Sequence, residues 1–144
     1  MSVERAQYGW LDANIFIHAL FLGDPHGAPC RTVLGHLLDG SGEGWLDPVT
    51  LHELTYVLPR VLPDKFARRQ DVYEYLTGYL TCETVLGDDK PSLIEALRIW
   101  ADTGGRFGDA RTLALAHSRS MPVCTVNGRD FPDVRNAYPA GRGA

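Results

Sequence analysis

Apolar residues recur with two different spacings along this chain of 144 residues, and the spacings predict an alternation of strands and helices. A short apolar run over residues 8–12 ends in an acid and is followed by a helical segment over 14–20. Residues 45–46 form a second short strand, and residues 50–58 pass into a helix that Pro59 halts. Further strands are predicted over 82–86 and 122–126, and further helices over 30–38, 64–80, 92–103 and 109–117.

Capping patterns predict where several of these helices begin. Asp64 is a suitable N-cap residue, because a carboxylate can accept a hydrogen bond from a free amide of the first turn. Ser92 and Glu95 have the spacing of a capping box, and Thr50 and Glu53 have the same spacing. The first turns of these helices are therefore expected to be fixed by side chains.

The order of the elements indicates the fold class. Short apolar strands that alternate with helices are typical of a parallel sheet, and such a sheet is covered by helices on both faces. No repeat or linker divides the chain, so we expect a single α/β domain over residues 1–144. Residues 136–144 are rich in glycine and alanine, and we expect them to form a mobile tail.

Composition narrows the possible functions. Hydrophobic residues make up 44% of the chain, which is enough for a core, and the net charge of −4 argues against a basic protein that coats nucleic acid. No apolar run is long enough to span a membrane. The three cysteines form no disulfide framework or zinc motif, which favours a reducing cytoplasm. They are Cys30, Cys82 and Cys124.

Four acidic residues fall where predicted strands end or where the following helices begin. Ligands of open α/β sheets bind beyond the carboxyl ends of the strands, so these positions are candidates for a functional site. Because the acids are far apart in sequence, only the complete fold could bring them together. The acids are Asp12, Glu53, Asp109 and Asp130, with Asn14 and Asn127 as neutral neighbours.

A cluster of four carboxylates is most readily explained as a metal site. Like charges repel and raise one another's pKa values unless a cation compensates them. Oxygen ligands without histidine or cysteine suit Mg²⁺ or Mn²⁺ better than zinc. A metal held in this way can activate water and stabilise the leaving oxygen of a phosphodiester.

Each acid also has an ordinary structural interpretation. Asp12 and Asp109 are good N-cap residues. Glu53 could complete the capping box that begins at Thr50. Asp130 could be a turn residue. From the residues alone, the structural and the catalytic interpretations both stay open.

Four ordered segments resemble the motifs of PIN domains, and most closely those of VapC-type toxins from bacterial toxin–antitoxin pairs. The first segment carries an aspartate followed two residues later by asparagine, and the second carries a single glutamate on a helix. The third is a Gly-Asp-Ala helix start, and the fourth is a strand-end motif of the form Thr-x-Asn-x-x-Asp-Phe. The segments are residues 11–16, 50–54, 107–117 and 125–131.

This resemblance implies an endoribonuclease that depends on Mg²⁺, with Mn²⁺ as a substitute. The four acids would be both the catalytic and the metal-binding set, with Asp12 and Asp109 as the main direct ligands. Asn14, Thr125 and Asn127 would position the ligands or a water. The chain has asparagine at position 127, where many members have aspartate, so either residue 127 or Asp130 could be the inner ligand.

The resemblance also implies an RNA substrate, a homodimer and an antitoxin that covers the acids. Apolar residues of the helices over 28–38 and 49–62 are candidate walls of the antitoxin groove. Two alternatives stay open: a catalytically weak PIN module that binds RNA or protein, and a housekeeping nuclease without an antitoxin. The candidate contacts to RNA phosphate are Arg68, Arg69, Arg111 and Arg129.

Overall fold

The computed structural model describes residues 4–125, which fall into two compact units that divide after Lys90. In the first unit, three strands alternate with four helices, and the second unit contains nearly all of α5 and the whole of α6. In the first unit the elements are β1 (Ala6–Trp10), α1 (Ala13–Ala19), α2 (Gly27–Asp39), β2 (Gly42–Trp45), α3 (Pro48–Val61), α4 (Arg69–Leu80) and β3 (Val85–Leu86); they are followed by α5 (Lys90–Thr103) and α6 (Phe107–Ser118).

The three described strands form one parallel sheet in the order β1-β2-β3. Trp10 is the register partner of Trp45, and Trp45 is the partner of Leu86, so the strands end at the same edge. Parallel strands need crossover connections, and the helices between the strands supply them here. The expected α/β class and parallel sheet are therefore confirmed.

Strand β2 differs from the prediction because it begins at Gly42 and ends at Trp45. A Cβ atom on Gly42 would lie 2.5 Å from the Tyr8 ring and 2.9 Å from Cβ of His36 on α2. A Cβ on Gly44 would lie 2.8 Å from the side chain of Leu11. The two glycines are thus strand residues that let neighbouring side chains approach the sheet, although glycine disfavours strands in general.

The core of the first unit is built from leucines and a few aromatic residues. Leu46 extends β2 on the buried side, and Phe16 on α1 packs edge-to-face against Tyr79 on α4, with ring centroids 5.4 Å apart. Helices α3 and α4 contribute the largest share of completely buried side chains. The fully buried residues include Leu37, Leu46, Leu51, Leu54, Leu58, Val72, Leu76, Leu80 and Val85.

Helix α3 begins earlier and ends later than the sequence pattern predicts. Asp47 is its N-cap residue, and Pro48 occupies the first helical position, where proline is favoured. Pro59 lies inside the helix, which continues to Val61, so the prediction that Pro59 halts it is wrong. Thr50 lies in the first turn and is not the cap.

Two further predicted helix starts are also wrong. Helix α4 begins at Arg69, five residues after Asp64, because Asp71 accepts a hydrogen bond from the Arg68 amide at 2.9 Å and fixes the first turn there. Helix α5 begins at Lys90, which places Ser92 inside the helix as a buried residue.

The Arg68–Asp71 contact allows a prediction about acid stability. The Arg68 guanidinium lies 2.7 Å from Asp71 and lowers the pKa of that carboxyl. A carboxyl whose pKa is lower in the folded state stabilises the protein above its unfolded pKa, and this contribution is lost as the pH falls through the folded value. Asp71→Asn should therefore lower the melting temperature at pH 7, and its difference from the wild type should be smaller at pH 3, which lies below the ordinary pKa of aspartate.

Thermal denaturation followed by circular dichroism at both pH values tests this expectation. Asp64→Asn is the matched control, because Asp64 is exposed and its replacement removes the same charge near the same helix start. A melting temperature of Asp71→Asn equal to that of the wild type at pH 7 would show that the ion pair contributes nothing.

The second unit is described by its two helices and a short segment after them. On α5, Arg98 pairs with Glu95 and with Asp102, which is an exposed ladder at helical spacing. Leu113 and Ala114 of α6 are buried as expected, whereas His117 is exposed. Of the strand predicted over 122–126, the described part shows a single bridge residue, Val123. Within residues 4–125, no helix is long and apolar enough to cross a membrane.

Candidate active site at the strand ends

Asp12 lies two residues after the end of β1 and stands at the N-cap position of α1. Its backbone is extended, with φ −80° and ψ 149°. The preceding residue, Leu11, continues the strand pairing through a 2.8 Å hydrogen bond from its amide to the Trp45 carbonyl. The Asp12 side chain accepts no hydrogen bond from the amides of the α1 first turn. Asp12 therefore holds the N-cap position that the structural interpretation gave it, but its side chain does not cap the helix.

The carboxylate of Asp12 is exposed and has one described partner. The side-chain amide of Asn14 donates to Asp12 Oδ2 at 3.2 Å. This contact orients the carboxylate from the side, and Oδ1 has no hydrogen-bond partner within the described part of the chain. The structure therefore places Asn14 beside Asp12, as the sequence predicted, and leaves the carboxylate available to a ligand.

Asp47 stands in the equivalent position after β2, yet the fold uses both of its oxygens. Oδ1 accepts from the Thr50 amide at 2.9 Å and caps α3, and Oδ2 accepts from Nε1 of Trp10 at 2.8 Å. Sequence reasoning did not identify Asp47 as the cap. The signal was present, since Asp-Pro before a helical stretch is a typical helix start.

Glu53 lies one helical turn beyond the contact that ties α3 to the end of β1. The Thr50 hydroxyl donates to the Leu11 carbonyl at 3.2 Å, and this bond is buried. Residues three apart on a helix share a face, so Glu53 lies on the side of α3 that carries Thr50. Glu53 is exposed and makes no hydrogen bond or ion pair in the described structure. Since Asp47 caps α3, the capping-box interpretation of Glu53 is wrong.

Asp109 belongs to the second unit and is described there by itself. It is the third residue of α6, half-buried in the first turn, and Arg106 holds the N-cap position. A carboxylate in the first turn is stabilised by the positive end of the helix dipole. The N-cap interpretation of Asp109 is therefore wrong, and its expected place at a helix start is right to within two residues.

Comparison with known protein families decides what kind of domain carries these acids. The PIN domain family matches residues 10–137, which is most of the chain. The chain belongs to the PIN domain family. PIN domains are generally nucleases, so this chain has a nuclease-type fold. No curated protein sequence matches it.

The matched residues include all four predicted acids. Residues 126–144 lie outside the described residues, and with them Asn127, Arg129, Asp130 and the predicted tail. Thr125 is described and is half-buried. The metal-binding and catalytic assignments therefore stay predictions for the complete set.

The donor set of this PIN domain fits a hard cation. Asp12 and Glu53 offer exposed carboxylates that the fold does not consume, and Asn14 offers a neutral group beside one of them. Among residues 4–125, no three histidine, cysteine, aspartate or glutamate side chains lie close enough together to hold a metal ion. The described residues therefore do not bring Asp12, Glu53 and Asp109 together as one metal site, and the four-acid set stays a prediction from the motif resemblance.

The arginines predicted to contact RNA are in different situations. Arg68 is committed to Asp71. Arg69 is half-buried, and burial lowers the pKa of its guanidinium. Nε of Arg111 is buried and lacks a hydrogen-bond partner among the described residues. An unsatisfied buried donor is costly, so this Nε needs an acceptor from outside the described residues.

Proposed function

We propose that this PIN domain is a Mg²⁺-dependent endoribonuclease that acts in the cytoplasm as the toxin of a toxin–antitoxin pair. The observation that carries the nuclease proposal is the contrast between two aspartates in equivalent positions. Both carboxylate oxygens of Asp47 accept hydrogen bonds within the fold, while the Asp12 side chain caps no helix amide and stays exposed. A carboxylate without a structural duty at the carboxyl end of a parallel strand is typical of a ligand-binding residue.

Each residue of the proposed site has a defined part. Following the motif resemblance, Asp12 and Asp109 would hold the cation directly, and Glu53 and Asp130 would complete the negative charge that offsets it. Asn14 orients Asp12 through the 3.2 Å bond, which fixes which oxygen is presented. Thr125 and Asn127 position ligands or water. When bound, Mg²⁺ supplies activation of the attacking water and neutralisation of charge on the scissile phosphate.

Phosphate contacts outside the acids are assigned to arginines. Arg111 is proposed as one such contact, because a guanidinium can bind phosphate through two hydrogen bonds. Arg69 and Arg129 are proposed as further contacts. Arg68 is retained as a weaker candidate, because its pairing with Asp71 must compete with phosphate.

The proposed antitoxin binds the faces of α2 and α3 that expose apolar side chains. Val49, Tyr56 and Val61 on α3 are exposed, and Leu38 is exposed at the end of α2. Such side chains suit the apolar face of a partner helix or an extended segment that then covers the acids. A homodimer is part of the same proposal. The toxin assignment rests on the motif resemblance described above.

Metal dependence is the direct test. Purified protein should cleave single-stranded RNA with Mg²⁺ or Mn²⁺, and chelation with EDTA should abolish cleavage until an excess of Mg²⁺ restores it. Gel electrophoresis of end-labelled RNA measures both states. Cleavage that persists in EDTA would contradict the carboxylate–metal mechanism, and a protein that binds RNA without cleaving it would be a binding module.

Expression in cells separates a toxin from a housekeeping nuclease. Growth arrest should follow expression of the wild type, should be absent for Asp12→Ala, and should be relieved by co-expression of a small protein encoded in the neighbouring reading frame. Normal growth of cells that contain active enzyme would favour the housekeeping role.

A further inference from the structure

Trp10, the last residue of β1, is a large aromatic side chain that the fold holds at the surface. It is 66% exposed and is the most exposed aromatic residue among residues 4–125. An exposed tryptophan next to a functional site calls for an explanation, because isolated tryptophans are usually mostly buried.

Two contacts fix the orientation of this indole. One ring face stacks on Trp45, with centroids 5.2 Å apart and ring planes 7° from parallel. The ring nitrogen donates to Asp47 Oδ2 at 2.8 Å. With one face on Trp45 and the edge held by Asp47, the exposed surface is largely the opposite ring face. The indole is thus immobilised before any ligand binds, which reduces the entropy that stacking would otherwise cost.

Strand geometry places this ring face beside the proposed catalytic acid. The backbone stays extended through Asp12, so side chains alternate and those of Trp10 and Asp12 point to the same side. Two residues of extended chain separate their Cα atoms by about 7 Å. This is close to the spacing of neighbouring nucleotides, so a base on Trp10 would leave a phosphate near Asp12.

We infer that Trp10 is a stacking platform for one unpaired base of the RNA substrate, next to the scissile phosphate. The inference rests on the proposed ribonuclease function and adds a residue that positions the substrate. Aromatic rings bind bases of every identity through their π-faces, which suits a single-stranded region. Trp10 thereby favours unpaired RNA over duplex, in which the bases are already stacked.

The loss of kcat/KM caused by removing the base should therefore depend on whether the Trp10 ring is present. In a single-stranded RNA with a mapped cleavage site, each nucleotide near that site is replaced in turn by an abasic ribonucleotide. For the wild type, one replacement should lower kcat/KM by roughly 5- to 100-fold, mostly through KM. For Trp10→Ala, the same replacement should change kcat/KM by less than about twofold, because the stacking partner is already absent.

Two variants separate stacking from structural effects. Trp10→Phe retains an aromatic ring and loses the donor to Asp47. Its KM, and the loss of kcat/KM that the abasic replacement causes, should both be close to those of the wild type. Leu22→Ala removes an 86% exposed apolar side chain from the loop between α1 and α2 and should leave both unchanged. The melting temperature of each variant shows the folded fraction.

The outcomes distinguish this inference from the function on which it rests. If the wild type cleaves no RNA with Mg²⁺ or Mn²⁺, the proposed function fails and the inference fails with it. If the wild type cleaves RNA but the abasic penalty is the same for Trp10→Ala, only the inference is overturned. If Trp10→Ala dissociates a dimer while the penalty is unchanged, the ring is a protein interface and the inference is likewise overturned.

Discussion

Replacing Asp12 and Asp47 by alanine, one at a time, should separate activity from stability. Asp12→Ala should lower ribonuclease activity by roughly 1,000-fold, a loss of about 4 kcal/mol in transition-state stabilisation, because the proposal makes Asp12 a direct metal ligand. Its free energy of unfolding without metal should change by less than about 0.5 kcal/mol, since the side chain caps nothing.

Asp47→Ala should give the reverse result. The variant loses the cap on α3 and the acceptor for Trp10, and a lost N-cap costs about 1–2 kcal/mol. Its folded fraction should keep activity within about tenfold of the wild type. Urea denaturation measures stability, and initial rates of RNA cleavage measure activity. Equal activity losses in the two variants, or a destabilisation confined to Asp12→Ala, would contradict the assignment.

Glu53→Gln should lower ribonuclease activity by at least roughly tenfold, which is about 1.4 kcal/mol or more of transition-state stabilisation. Glutamine has the same size but removes the negative charge that, in the proposed site, offsets the cation. The stability without metal should be equal or slightly higher, because Asp47 and not Glu53 fixes the start of α3, and carboxylate repulsion is relieved.

The control for this prediction is Glu83→Gln, which removes one exposed negative charge elsewhere on the same unit. It should leave activity unchanged. The concentration of Mn²⁺ needed for half activity should rise for Glu53→Gln and not for Glu83→Gln. Full activity of a normally folded Glu53→Gln protein would remove Glu53 from the site.

Hydrophobic periodicity was sufficient to predict the fold class and most elements. The strand-to-helix transition at Asp12 and a helix over residues 30–38 are present as expected, because apolar spacing predicts them, although only Leu34 and Leu37 of the apolar residues 33, 34, 37 and 38 are buried. The start of β2 was missed because glycine carries no side-chain pattern. Gly42 and Gly44 are in the strand because the side chains of neighbouring residues leave no room for a Cβ atom there. The intrinsic strand preference of a residue type does not include such neighbours.

The difference between Asp12 and Asp47 could be predicted only in part. Each aspartate follows a strand and precedes a helix, and the Asp47-Pro48 pair signals a helix start that Asp12 lacks. Only the structure shows that Trp10 takes the second oxygen of Asp47 and that the Asp12 side chain caps nothing. The capping-box prediction for Thr50 and Glu53 failed for a related reason: Asp47 lies three residues earlier and competes for the same amides.

The narrow space at Gly44 connects the active site to a residue that has no chemistry of its own. A methyl group there would press on Leu11, the residue before Asp12, at 2.8 Å. Mutations that remove the activity would therefore have an uncharged target in β2 as well as the proposed acids. In evolutionary terms, a larger side chain at position 44 would require Leu11 to shift or to change with it, so the pair should vary together among descendants of this sequence.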